Sequence, residues 1–360
     1  YDLNYKREFK NNKDHVLLFS TLGHFFGKDL SSEFSNTTIE GTDVSVNQLT
    51  NTKFQQADYT WKLDYTNPIT KTVTIETGAQ YLINDVGNDY QVNDFVSGEY
   101  VINQNLTNDF EYDQKVLGGY VTGSYEKEKW GLKAGLRVEN TDLNTFLVNT
   151  KEDNSQLYTN LFPSLHTSYK VSKKLSLQAG YSKRIYRPRL WELNPFFNVR
   201  DNFNIRAGNP ALQPEFTDSY EITSIFRIKK IFLNSSIYHL YKTSVIERIS
   251  VFENNVTTSL PSNIGSNKAT GLEINGKLNP KKWLSLNGDF NFNYFKREGS
   301  YLDQSFDFTG QKWNTKLSAK FIFPADIDLE LTGRYQSGFK TLQGTNSGFA
   351  FLDVGLRKKI

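Results

Sequence analysis

The chain has no cysteine among its 360 residues. Disulfides, thiol nucleophiles and cysteine-bound zinc are thereby excluded. Histidine is scarce. His15, His24, His166 and His239 fall in separate strand-like segments, with none of the spacings that hold a metal. Each is expected to be a strand residue at an interface or in a lumen. No glycine motif of the phosphate-cradling kind occurs. No Ser-His constellation can be assembled, so no enzyme, cofactor or metal site is expected. No apolar run reaches the length of a transmembrane helix. A net charge of +3 is too small to mark a nucleic-acid partner. Methionine is also absent. Tyr1 opens directly into strand-like sequence and the chain stops at "LRKKI", in mid-strand. An internal segment of a longer protein is therefore expected, with any signal peptide outside it.

Aromatic residues are abundant: 27 Phe, 20 Tyr and 5 Trp, which favour strands and membrane interfaces over helices. The mean hydropathy of −0.55 is that of a soluble protein. It is equally that of a lipid-embedded barrel, because half of each strand then faces a wet lumen. The alternation is regular. In "WGLKAGLRVEN", Trp130, Leu132, Ala134, Leu136 and Val138 share one parity, against Lys133, Arg137 and Glu139. In "TVTIETGAQYLI", Val73, Ile75, Ala79, Tyr81 and Ile83 oppose Thr72, Thr74, Glu76 and Gln80. A period of two puts each set on its own face of a sheet. About fifteen such segments can be read, with boundaries soft by a few residues. The chain is therefore all-β.

The connections are unequal in a regular way. Short ones lie at 10–14, 66–71, 126–129, 171–174, 228–230, 279–282 and 324–326. Long ones alternate with them, at roughly 27–53, 85–110, 141–157, 187–216, 243–268, 297–311 and 338–348. Short periplasmic turns and long extracellular loops are the signature of an outer-membrane barrel. Tyr59, Trp61, Tyr65, Tyr81, Trp130, Tyr169, Trp283, Phe321 and Phe323 lie near the turns or on the apolar parity. They are candidates for aromatic belts at the headgroup level. Closure would remove the unpaired sheet edge that hydrocarbon does not tolerate. The odd segment count points to further strands elsewhere, since single-chain bacterial barrels have even numbers. With the apolar parity facing lipid, Lys133, Arg137, Glu139, Arg184, Arg227, Glu273, Lys316, Lys320, Glu330 and Arg334 point inward. Their mixed signs suggest a filled lumen laced with ion pairs rather than a charge-selective pore.

One connection differs from the rest. "RPRLWELNPFFNVRDNFNIRAGNPALQPEF", residues 187–216, holds four of the nine prolines: Pro188, Pro195, Pro210 and Pro214. Each fixes its own φ and extends the residue before it. Gly208 can take φ > 0, and Asn209 before Pro210 suits a turn. These positions are expected to return the chain to the sheet in a defined register. Trp191, Phe196, Phe197, Phe203, Arg200 and Arg206 are the candidate ligand-binding residues, because aromatics beside arginine stack on sugars or hold anionic chelates.

The same region carries a family resemblance. "YSKRIYRPRLWELNPF" at 181–196 and "GNPALQPEFTDSYEI" at 208–222 resemble the barrel of TonB-dependent outer-membrane receptors, and within that group the outer-membrane β-barrel family. The matching positions are Arg187, Pro188, Leu193, Asn194, Pro195 and Phe196, then Gly208, Asn209, Pro210, Leu212, Pro214, Glu215, Tyr220 and Glu221. "FAFLDVGLRKKI" resembles a late barrel strand of that family. The resemblance implies a barrel of roughly 22 strands with a plugged lumen, of which this chain is a part without the plug. It also implies uptake of a scarce, large solute such as a metal chelate, cobalamin or glycan. TonB would supply the energy through an N-terminal region absent here. Outer-membrane lipid is the surrounding partner. Two alternatives stay open: a structural or secretion-linked barrel whose loops bind a partner protein such as a surface lipoprotein, and a soluble all-β surface protein that binds glycans or cells. Heat-modifiable migration and extraction only by detergent would separate the last from the others.

Overall fold

Alternating sequence should form strands, and nearly all described residues do. The computed structural model describes residues 1–9, 12–35, 37, 39, 46–195, the backbone of 198–201, 204–301 and 304–358. The first half runs β1 (Asp2–Phe9), β2 (Asn12–Phe34), β3 (Gln48–Pro68), β4 (Val73–Val96), β5 (Glu99–Ile102), β6 (Asn108–Lys127), β7 (Trp130–Leu147), β8 (Glu152–Lys170) and β9 (Leu175–Tyr186). One helical turn, α1 (Leu190–Leu193), and two short strands, β10 (Asn198–Asp201) and β11 (Asn204–Arg206), break the rhythm. It resumes with β12 (Glu215–Ile228), β13 (Ile231–Thr243), β14 (Ile246–Glu253), β15 (Val256–Asn263), β16 (Gly265–Lys281) and β17 (Leu284–Tyr301). The last elements are β18 (Gln304–Phe323), β19 (Ile327–Gln336), β20 (Phe339–Lys340), β21 (Thr345–Asn346) and β22 (Phe349–Lys358).

Fifteen strands pair in sequence order into one antiparallel sheet: β1-β2-β3-β4-β6-β7-β8-β9-β12-β13-β16-β17-β18-β19-β22, with β5 alongside β4. The sheet is open, and β1 and β22 are its edges. The connections read as short from the sequence all fall at one end, here called the turn end. In the three-residue turn at 324–326, Ala325 and Asp326 both take positive φ, 62° and 56°, the left-handed conformation that tight hairpin turns use.

The sheet is a single layer. A sandwich would bury one face against a second sheet. Instead Leu117, Val121, Leu136, Leu161, Ile222 and Ile237, all on the outer face, are between 43% and 65% exposed. The inner face holds the charges. Lys133 pairs with Glu76 at 2.6 Å, Arg137 with Glu139 at 2.5 Å and Lys320 with Asp328 at 2.9 Å. Outward-facing rings gather in two bands. At the turn end Trp130 packs on Tyr169 (4.4 Å between centroids) and Trp283 on Phe321 (6.3 Å). Further up, Tyr59, Trp61 and Tyr81 stack in a row at 5.9 and 6.0 Å.

The polarity of the two faces reverses part-way up the strands. On β7 the outer residues are Trp130, Leu132, Ala134, Leu136 and Val138, then Asn140, Asp142 and Asn144. The inner residues change in the opposite sense, from Lys133, Arg137 and Glu139 to buried Leu143 and Leu147. On β6 the outer face changes between Leu117 and Lys115, on β4 between Ile83 and Asp85. The apolar outer band is thus the nine residues of Trp130–Val138 on β7 and of Leu117–Tyr125 on β6, which matches the ~9–11 residues a tilted strand needs to cross a bilayer. Beyond it, β3, β4, β6, β7 and β8, of 18 to 24 residues, rise as a collar, polar outside and apolar inside. Much of 85–110, 141–157 and 297–311 is consequently strand rather than loop. The alternation does not stop there; the side that is apolar changes.

Candidate functional site

The segment at 187–216 folds into the collar's apolar interior. Leu193 and Leu212 are fully buried in a core with Val86, Phe110, Tyr112 and Leu143 from the inner faces of β4, β6 and β7. Arg187 anchors its start. The guanidinium donates to Glu139 at 2.5 Å and to Thr141 Oγ1 at 2.9 Å, both on β7. Pro188, next to it, is fully buried. Gln156 on β8 donates to the Leu212 carbonyl at 2.9 Å. Asn209 closes a tight turn: its side chain accepts from the Ala211 N–H at 3.0 Å and donates to the Pro261 carbonyl at 3.1 Å. Pro214 is buried beside Glu215, whose carboxylate accepts from the Ile246 N–H at 2.6 Å. Pro195 and Asn194 follow α1, and Asn194 is buried.

A small four-stranded sheet, β10-β11-β15-β14, joins this segment to the 246–263 hairpin, with β11 and β15 parallel. Arg248 donates to the carbonyls of Ala207 (3.1 Å) and Ser259 (2.7 Å). Burial, and then the neighbouring Arg206, push its guanidinium down from the usual range. Gln343, from the 338–348 connection, exchanges two hydrogen bonds with the backbone of Ser250 at 2.8 Å each. Three connections therefore fold into one cap at the loop end.

Gly208 does not use the conformational freedom expected of it. Its φ is not positive, whereas Gly98 and Gly265 do take positive φ. It is needed for contact instead, because a Cβ there would lie 2.5 Å from the Asn194 carbonyl oxygen and 2.6 Å from its nitrogen. Gly208→Ala is expected to destabilise the cap by about 1–3 kcal/mol through overpacking. Limited proteolysis should then cut within 187–216 while the sheet stays resistant. Equal protection of wild type and variant would show that the site relaxes at no cost.

Beside the cap lies a cavity of about 960 Å³. Its walls are the inner faces of β2, β3, β4 and β6 and the step from Arg187 to Trp191. Arg189 stacks over the rings of Trp191 (5.0 Å) and Tyr186 (5.7 Å). Phe26 and Phe54 pack on each other at 5.9 Å. Of the candidate binding residues, Trp191 lines this cavity. Arg206 does not: it sits on β11 beside Arg248. Phe196, Phe197 and Phe203 lie outside the described residues, as does the side chain of Arg200 on β10. Lys28, Tyr90, Tyr112 and Gln114 also line the cavity and were not among the candidates. They fall on, or next to, strand sections that the sequence presents as connections, which hides their inward direction.

The model of the outer membrane protein beta-barrel family matches residues 7–360. The chain belongs to this family. As a family barrel it resides in the bacterial outer membrane, with its apolar outer band in lipid. Several solved structures share the fold. The unliganded ferric citrate transporter FecA aligns with a TM-score of 0.68 at 12% identity, over 98% of this chain and 52% of that one. The copper transporter OprC aligns at 0.66 and 12%, over 98% and 55%. The ferric-catecholate import receptor Fiu from K12 E. coli aligns at 0.67 and 12%, over 100% and 57%. This family barrel spans about half the length of the solved structures it matches. No curated protein sequence matches it.

Proposed function

We propose that this barrel is the receptor part of a TonB-dependent uptake system for a scarce, large solute, captured at the loop end, which faces the cell exterior. The carrying observation is the cavity beside the cap. It combines Arg187, Arg189 and Trp191 with inward aromatics of the collar, at the end of the barrel away from the short turns. Further support comes from the named cargoes of the structural neighbours, which are metals or metal chelates. A metal-bearing solute is therefore favoured over a glycan. In the complete transporter, further strands would pair with the open edges of β1 and β22, because unpaired backbone in hydrocarbon costs several kcal/mol per group. A plug would fill the lumen against the mixed charges of the inner face, and TonB would act through a region preceding it.

Trp191→Ala is the direct test. Trp191 is 43% exposed, so its removal should leave assembly and heat-modifiable migration unchanged. Uptake-dependent growth on the limiting solute should fall at least ten-fold. Growth equal to wild type at equal surface abundance would reject capture at this cavity.

A further inference from the structure

The cavity beside the cap also carries information about the chemistry of what it holds. Its hydrogen-bonding groups divide unevenly. The carboxylate of Asp58 is already engaged, by Asn84, by Gln56 at 2.8 Å and by His24 at 3.4 Å. Arg187 is likewise engaged, by Glu139 and Thr141. Two cations on the cavity wall, Lys28 and Arg189, take part in none of the ion pairs among the described residues. A third group is more telling. Gln114 is 8% exposed and lines the cavity, and its side-chain Nε2 has no hydrogen-bond partner among the described residues. A buried amide donor left unpaired keeps its desolvation cost, so a group that accepts from it recovers that cost. The charged groups of the lining are thus three cations, Lys28, Arg187 and Arg189, against one carboxylate, Asp58, and the buried unpaired group is a donor. Aromatic side chains, among them Trp191, Phe26, Phe54, Tyr90 and Tyr112, share the lining with aliphatic residues and with neutral hydroxyls and amides.

We infer that this cavity binds an anion carried on a flat aromatic ring, with the anionic oxygens toward Arg189, Lys28 and Gln114 and the ring against Trp191. This deepens the uptake reading and rests on it only for the biological cargo; the binding chemistry is measurable separately. Arg189 is already stacked over Trp191, so guanidinium and indole present one edge to the ligand, the arrangement in which a planar anion meets charge and π-surface together. A cationic ligand would face two cations, Lys28 and Arg189, that no ion pair among the described residues neutralises. A neutral ring would gain the stacking and leave the donors unmet.

Three probes of one shape separate these cases: 2-naphthoate, 2-naphthalenemethanol and 2-naphthylmethylammonium, titrated calorimetrically into the purified full chain folded in detergent, with protein-free micelles as the blank. Saturable binding of naphthoate, at least ten-fold tighter than either other probe, is expected. Arg189→Gln should bring naphthoate down to the affinity of the alcohol. Gln114→Leu should weaken naphthoate several-fold and leave the alcohol unchanged. Trp191→Ala should weaken both. Equal affinity for the three probes, tighter binding of the cation, or an unchanged naphthoate affinity in Arg189→Gln overturns the assignment. Each variant must show wild-type heat-modifiable migration; where Gln114→Leu does not, Gln114→Glu replaces it and should reverse the preference toward the cation. If naphthoate shows no preference while Trp191→Ala still abolishes uptake, the ligand chemistry is wrong and the receptor stands. If the probe pattern holds but the cells take up nothing through this barrel, the receptor reading fails and the subsite stands.

Discussion

Arginine in place of Val121 should prevent the barrel from assembling, while arginine in place of Glu111 should be tolerated. Both residues lie on the outer face of β6, ten positions apart on the same parity. Val121 sits at the centre of the nine-residue apolar band Leu117–Tyr125 and is 52% exposed. A charge at mid-bilayer on the lipid face costs about 2–4 kcal/mol, falling toward zero near the interfaces. Glu111 lies above the reversal of polarity, on the collar, where water already solvates a carboxylate. A third variant completes the test. Leu143→Arg faces inward on β7 at a position 1% exposed, and should disrupt the cap, because it puts an unpaired charge into an apolar core. Urea midpoints after folding into lipid vesicles, with heat-modifiable migration, measure all three. Equal tolerance of arginine at Val121 and Glu111 would contradict a lipid boundary between them.

Arg187→Met should loosen the cap more than any change to its prolines. Arg187 is the first residue after β9 and reaches across to β7, where Glu139 is 9% exposed. Removing one partner of a buried ion pair costs about 3–5 kcal/mol. The lower end applies, because Arg137 still holds the other Glu139 oxygen at 2.5 Å. The observable is the rate of proteolysis within 187–216, expected to rise by about a hundred-fold for a loss of roughly 3 kcal/mol. The double variant Arg187→Met with Glu139→Gln should recover part of the loss, since the oxygen that Arg187 leaves no longer belongs to a charged group and Arg137 keeps Gln80 as a partner. Failure of the second change to restore protection would mean that Arg187 acts through packing and not through the pair.

The strand alternation was readable because it follows from geometry alone. Leu132, Leu136 and Val138 share a face in any sheet, and lipid exposes that face where a sandwich would bury it. The order of the strands was equally accessible, since short turns leave a strand no neighbour but the next. The collar was not. From Asn140 to Leu147 the pattern is still period two, but the apolar set has moved to the other parity, and polar outward residues read as the beginning of a loop. The cavity was half visible for the same reason. Trp191 stood out in an irregular segment, whereas Lys28, Tyr90 and Gln114 belong to strands whose inward side could be assigned only once the reversal was known. Gly208 shows a different limit. A glycine before Asn-Pro suits a turn, and only coordinates show that the chain needs it to clear the backbone of Asn194.

The reversal of polarity also fixes a height. Eleven residues of β4, Val86 to Val96, lie beyond it, which at ~3.3 Å per residue and a tilt of about 40° is roughly 25–30 Å. With the loop end outward, as proposed, the collar stands above the bilayer like a chimney by that height. On the proposed uptake reading, a solute would be intercepted at that height above the lipid, and the distance it would then travel inward is longer than the thickness of the membrane itself.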